Sequence, residues 1–273
     1  MSQLSFTIIQ STLHWEDNEA NLQMFEQKIS GLKEKTEVVL LPEMFSTGFT
    51  MNAAALAETM NGPTVQWMQA MSAKYTIILA GSMIIKEFVE NEKEIFYNRL
   101  IWMQPNGQFG FYDKRHLFAY AGEDKVYSSG NRRLIASVKG WKIHLQICYD
   151  LRFPVWARQA PAPGEKEHMP EYDVLINIAN WPQQRSHAWK TLLQARAIEN
   201  QCYAIGVNRV GVDEKGVAYS GDSMIVGPLG ETIYHKKNEE DICTVILEKQ
   251  TLDSARQQYP FLRNGDGFMI IND

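Results

Sequence analysis

The chain lacks the devices that usually announce redox, metal or nucleotide chemistry. It has only three cysteines among 273 residues, Cys148, Cys202 and Cys243, and they are far apart and set in apolar runs. Such spacing excludes a disulfide framework and leads us to expect a reducing cytoplasm. No Cys-x-x-Cys occurs, and the six histidines are scattered without His-Glu-x-x-His spacing, so no metal is expected. Neither common glycine-rich phosphate loop is present. The nucleophilic-serine pattern fails at Gly221-Asp222-Ser223, where its closing glycine is replaced by Ile225. No cofactor is expected.

Clustered positive charge is also missing. Lys and Arg number 27 against 32 Asp and Glu, net charge −5, and no basic run exceeds a pair. Nucleic acid is therefore not an expected partner. No apolar run approaches the roughly 18 residues of a membrane span. The first residues, MSQLSFTIIQ, lack the basic start and cleavage site of a secretion signal.

What is present is a well-patterned globular chain. Apolar residues make up 45%, enough for a sizeable core. The one proline-rich stretch, 160–170, is too short for a linker and reads as an exposed loop, so residues 1–273 are expected to form one domain. Strands are expected at 4–10, 38–42, 76–83, 98–103, 142–148, 173–179, 203–210, 223–226 and 242–247. Several are continuously apolar, as when both faces of a sheet are covered. Helices fall between them. Asp17 can cap one with Leu22, Phe25, Ile29 and Leu32 on one face; Pro63 suits the first turn of a second. Ser186 can cap a third, with Trp189, Leu192, Leu193 and Ala197 on one face; its Arg196 and Glu199 read as a partly buried ion pair. Glycine-containing turns at 211–216, 227–230 and 264–267 suggest edge hairpins. The expected class is α/β or α+β with at least eight strands.

Three polar residues close apolar runs. Glu43 follows Val38–Pro42, Lys114 lies in Phe109–His116, and Cys148 lies at the end of the run Trp141–Asp150. A carboxylate, an ammonium and a thiol delivered by strand ends could form a hydrolytic site: the thiol attacks, the carboxylate moves protons, the ammonium stabilises negative charge. Each alone has a plainer reading. A cysteine in an apolar strand usually acts as a small hydrophobe, but the polar turn Tyr149–Arg152 puts this one at a sheet rim.

Taken together, these segments resemble the nitrilase superfamily of carbon–nitrogen hydrolases. The matching motifs are Leu41-Pro42-Glu43, Asp113–Phe118 (DKRHLF), Ile147–Pro154 (ICYDLRFP) and Gln194–Asn200 (QARAIEN), in the family's order. Finer features, Leu41–Phe49, Lys114–Phe118, Asn180-Trp181-Pro182, and Asn208–Gly211 with Gly221–Ser223, resemble its omega-amidase branch. One departure stands out: the branch often has histidine directly before the helix tryptophan, whereas here Ala188 precedes Trp189 and His187 is displaced by one.

The resemblance implies a four-layer α-β-β-α sandwich, commonly a homodimer, and a hydrolase needing no cofactor. It implies a small-molecule amide substrate, 2-oxoglutaramate or 2-oxosuccinamate, with another amide, an N-carbamoyl compound or a nitrile as the alternative. It makes Glu43, Lys114 and Cys148 the catalytic triad, with the backbone N–H of Tyr149 at the oxyanion. Glu123 would orient Lys114; its plainer reading is a surface carboxylate. A substrate carboxylate needs a cation, for which Arg115, Arg152 and Arg185 are candidates, each equally able to serve as a structural ion-pair partner. Phe118, Tyr149 and Trp181 could wall the pocket or simply pack.

Overall fold

A computed structural model describes residues 2–89, 93–159 and 170–271. Thirteen strands are present: β1 (Gln3–Gln10), β2 (Val38–Leu40), β3 (Ile78–Val89), β4 (Lys93–Met103), β5 (Phe109–Asp113), β6 (Leu134–Val138), β7 (Trp141–Ile147), β8 (Val174–Ala179), β9 (Tyr203–Asn208), β10 (Val210–Val212), β11 (Ala218–Val226), β12 (Thr232–Lys237) and β13 (Asp241–Glu248). The helices are α1 (Asn18–Ser30), α2 (Ala53–Leu56), α3 (Pro63–Tyr75), α4 (Pro154–Ala157), α5 (Ser186–Asn200) and α6 (Lys249–Gln258).

The strands form two sheets. One runs β13-β1-β2-β3-β4-β5; the other runs β10-β11-β9-β8-β7-β6, with β12 paired to β11. They share one apolar core, in which Phe6, Ile8, Val38 and Leu40 meet Ile143, Leu145, Ile176 and Ile205. Helices cover both outer faces. Phe25 and Ile29 of α1 and Val65, Met68 and Met71 of α3 pack on the first sheet. Trp189, Leu193 and Ala197 of α5 pack on the second. The expected α-β-β-α sandwich is thus the observed one. It explains the continuous apolar runs, since a strand covered on both faces has no solvent side to leave polar. Packing is close enough that a Cβ added to Gly206 of β9 would lie 2.3 Å from the Leu193 side chain.

Helix starts follow sequence in two cases of three. Asp17 caps α1 by accepting a hydrogen bond from Ala20 N–H, and Pro63 opens α3. Ser186 is not a cap. A 3-10 turn, Gln183–Arg185, runs straight into α5, so Ser186 is already helical (φ −61°, ψ −32°), whereas a capping residue needs extended backbone. The Arg196–Glu199 pair forms at 3.0 Å with Arg196 buried.

The turns at 211–216 and 227–230 join β10 to β11 and β11 to β12, but no strand follows Asn264–Gly267 among the described residues. β5, β6, β10 and β12 are additions to the expected strands; all four have exposed positions that blur the apolar pattern. The expected loop at 160–169 lies outside the described residues.

Direction matters for the site. β1, β2 and β3 run parallel, and β4 and β5 reverse direction twice, so β5 ends at the same edge as β2. β7, β8 and β9 are parallel in the other sheet. Carboxyl ends of strands from both sheets therefore meet, the usual position of an α/β site.

Candidate active site

Four chain segments leave those strand ends and converge. Glu43 comes three residues after β2, Lys114 directly follows β5, Cys148 directly follows β7, and Asn180 directly follows β8. Cys148 is the first residue of a 3-10 turn, Cys148–Arg152, rather than the last of a strand. Its φ is +44°, a left-handed conformation that costs a non-glycine residue of order 1 kcal/mol or more. The bend turns the thiol out of the sheet, and Cys148 is only partly buried.

Beneath the cysteine lies a buried charge cluster. Lys114 Nζ donates to Glu43 Oε1 at 2.9 Å and to both oxygens of Glu123 at 2.9 Å. All three side chains are wholly shielded from solvent. Further donors hold both carboxylates. Asn98 Nδ2 donates to Glu43 Oε1 at 2.8 Å, Asn180 N–H to Glu43 Oε2 at 2.8 Å, and Phe118 N–H to Glu123 Oε2 at 2.6 Å. The Asn180 side chain also donates to the Glu43 carbonyl at 2.6 Å. Glu123 is therefore not the surface carboxylate of the plainer reading. It is locked under the loop that carries Phe118.

Two carboxylates against one ammonium decide the electrostatics. Burial pulls the Lys114 ammonium down, but Glu123 and Glu43 outweigh it and hold the group above its ordinary value, so it stays charged. Burial pushes Glu123 up, opposed by Lys114. Burial pushes the Cys148 thiol well up, and the facing Glu43 carboxylate pushes the same way, with Lys114 opposing. The resting sulfur is therefore a thiol, and a thiol so placed must give up its proton to act as a nucleophile. A carboxylate beside it, itself fixed by three donors, can receive that proton. An always-charged ammonium can meet a developing oxyanion.

Lys114 and Cys148 line a cavity of about 730 Å³, with Glu43 and Glu123 buried behind Lys114. Phe118, Tyr149 and Trp181 do line its walls, joined by Phe49 and Tyr219. Arg152 and Arg185 line it as well, their guanidiniums lying 4.8 Å from the Trp181 ring and 5.2 Å from the Phe118 ring. The arginines that form ion pairs among the described residues are Arg99, Arg133, Arg196 and Arg256. Both cavity arginines are thus without a carboxylate partner there. Arg115 does not line the cavity: it donates to the Gly130 carbonyl at 3.1 Å and lies over Trp156.

Sequence reasoning did not assign Asn98, Phe49 or Tyr219 to the site, and it expected the β10–β11 hairpin only as a sheet edge, not as the cavity wall it forms. Asn98 left a faint signal, a lone amide within the apolar stretch Ile95–Met103. No cluster of three or more His, Cys, Asp or Glu among the described residues has the arrangement of a metal site. No helix among them is long and apolar enough to cross a membrane.

Comparison with known proteins places this geometry in a class. The carbon–nitrogen hydrolase profile matches residues 5–257, and the chain belongs to that family. It is 39% identical over 274 aligned positions to the omega-amidase YafV of Yersinia enterocolitica, covering 99% of this chain and all of that one. It is 30% identical to the 2-oxoglutaramate amidase of Bacillus subtilis, covering 88% and 89% of the two chains. The crystal structure of a CN-hydrolase superfamily protein from Xanthomonas campestris, which carries an arsenic adduct in its active site, superposes with a TM-score of 0.93. That protein is 37% identical, with 99% of this chain and all of the other covered.

Proposed function

We propose that this chain is a single-domain omega-amidase that hydrolyses 2-oxoglutaramate, and 2-oxosuccinamate, to the 2-oxo dicarboxylate and ammonia. The observation that carries the reading is the pairing of two features in one cavity. Lys114, held by the buried Glu43 and Glu123, lines it beside Cys148, and two guanidiniums with no carboxylate partner among the described residues lie in the wall. The first suits an amide carbon; the second suits a carboxylate on the same small molecule.

Glu43 takes the Cys148 proton as sulfur attacks the amide carbon. The C–O double bond opens to an oxyanion that faces Lys114 and the backbone N–H of Tyr149. Collapse re-forms the carbonyl and breaks the C–N bond, and Glu43 returns the proton to the departing nitrogen, releasing ammonia and leaving a thioester. Glu43 then deprotonates a water that attacks the thioester, and the sulfur leaves and regains its proton. Losing one oxyanion donor typically costs on the order of 100- to 1,000-fold in rate. Glu123 holds the Lys114 ammonium in place throughout. Arg152 and Arg185 grip the substrate carboxylate, where a guanidinium can offer two parallel hydrogen bonds. The protein works without a cofactor, as a homodimer in a reducing cytoplasm where its cysteines stay free.

The test is ammonia release from 2-oxoglutaramate, glutamine and a simple nitrile, with wild type and Cys148→Ala. Release from the keto-amide well above the other two, abolished in a folded Cys148→Ala, is the expected result. Faster turnover of the nitrile or of glutamine would reject the substrate, and residual wild-type rates in the variant would reject the nucleophile.

A further inference from the structure

One buried carboxylate plays no part in the steps above. Asp150 is wholly shielded from solvent, two residues beyond the nucleophile. Its only ion-pair partner among the described residues is a histidine, His116, and no lysine or arginine neutralises it. It is satisfied by hydrogen bonds instead, and their origin is the informative part. Oδ2 accepts the Ile147 N–H at 3.0 Å and the Tyr112 hydroxyl at 2.7 Å. Oδ1 accepts the His116 N–H at 2.9 Å and contacts the same residue's Nδ1 at 2.8 Å. A carboxylate oxygen only accepts, so His116 carries its proton on Nδ1.

These donors bracket the two groups that must meet. Ile147 and Asp150 flank Cys148; Tyr112 and His116 flank Lys114. One carboxylate thus ties the turn bearing the thiol to the segment bearing the ammonium, across two sheets. Its partners are themselves held. The Tyr112 hydroxyl accepts from Trp156 Nε1 at 2.9 Å and from Arg115 N–H at 3.2 Å, and the His116 ring stacks on Phe153 at 3.8 Å. Trp156 and Phe153 belong to the chain just after Asp150, which closes the bracket on itself.

We propose that Asp150 is a positioning residue for the hydrolytic reaction, setting the left-handed turn of Cys148 and its register against Lys114. This rests on the roles of Cys148 and Lys114 proposed above. Charge-assisted hydrogen bonds are about twice as strong as neutral ones and hold geometry tightly. Displacing a reacting group by about 1 Å can cost on the order of 100-fold in rate. Asparagine at position 150 keeps the shape but presents an NH2 toward neighbours that are all donors, so the bracket opens on one side whichever way the amide faces.

The experiment compares kcat and KM of Asp150→Asn with wild type on 2-oxoglutaramate, at a temperature where both are folded by circular dichroism. In parallel, the rate of Cys148 alkylation by iodoacetamide is followed by mass spectrometry. The expected result is a kcat at least roughly 100-fold lower with KM within about threefold, and alkylation about tenfold slower. A kcat within threefold of wild type, or a loss no larger than the unfolded fraction, overturns the proposal. If Asp150→Asn does not fold, Tyr112→Phe decides. A kcat about tenfold lower at unchanged KM supports the bracket, and unchanged kcat refutes it. Alkylation needs no substrate, so a wild type inert toward 2-oxoglutaramate would fail the substrate reading while leaving the alkylation comparison to judge Asp150.

Discussion

Replacing Glu123 with glutamine is the most demanding test of the buried cluster, because the change removes a charge and almost no volume. In the native protein both Glu123 oxygens face donors: Lys114 Nζ touches each, Phe118 N–H touches one and Asn98 Nδ2 approaches the other at 3.4 Å. A glutamine amide must therefore point its NH2 at a donor in either orientation. Lys114 keeps Glu43, so no buried charge is left unpaired, and the loss is that of charge-assisted hydrogen bonds, about 1.5–3 kcal/mol. For a chain of this size that corresponds to a melting temperature roughly 5 °C lower. The catalytic effect is separable. Without Glu123, Lys114 has one carboxylate partner instead of two and is drawn onto Glu43. The base is then neutralised and the ammonium displaced from the oxyanion. A kcat loss on the order of 100- to 1,000-fold is expected, measured as ammonia release in a coupled assay at 25 °C, where the variant is still folded. Wild-type kcat with a melting temperature shifted by less than about 2 °C would show that the three groups do not depend on one another.

Two further outcomes follow from groups outside that cluster. Arg152→Ala and Arg185→Ala are each expected to raise KM for 2-oxoglutaramate by roughly tenfold or more, as for loss of a charged hydrogen bond, whereas Arg115→Ala leaves KM unchanged and lowers only stability. A large KM effect at Arg115 alone would misplace the carboxylate site. His144 supplies a pH signature: burial lowers its folded-state value from about 6.5 to about 3. The folded protein holds it neutral while the unfolded chain protonates it below about pH 6.5. Its contribution is therefore complete above that pH and falls by about 1.4 kcal/mol per unit on acidification toward pH 3. Urea midpoints of wild type and His144→Asn between pH 4 and 8 should converge as pH falls, and parallel curves would contradict the assignment.

How much of this was legible beforehand divides along a physical line. Sequence alone determined what depends on neighbours a few residues away. The alternation of apolar segments, the Asp17 cap, the Pro63 helix start, the α5 stripe and the doubly covered strands are local periodicities, each readable within a window of a dozen residues. So, too, are the polar residues that close apolar runs at 43, 114 and 148, and the motif order that resembles a known family. Tertiary structure decided what depends on sheet order. Glu43 and Lys114 are 71 residues apart, and Glu43 and Asn180 are 137 apart; no local pattern encodes a 2.9 or 2.8 Å contact across such distances. Edge strands escaped because exposure erases the apolar signal by which strands are recognised. Three arginines in matched motifs look alike on paper, yet the turn after Cys148 and the start of α5 point two into the cavity, while the end of β5 sends the third to the Gly130 carbonyl. Asp150 reads as an ordinary acidic residue in a polar turn, and Glu123 has a role in the sequence only through the family resemblance. Only the convergence of the two sheets buries them, and burial is what converts an ordinary carboxylate into one that must be matched, donor by donor, by the groups it holds in place.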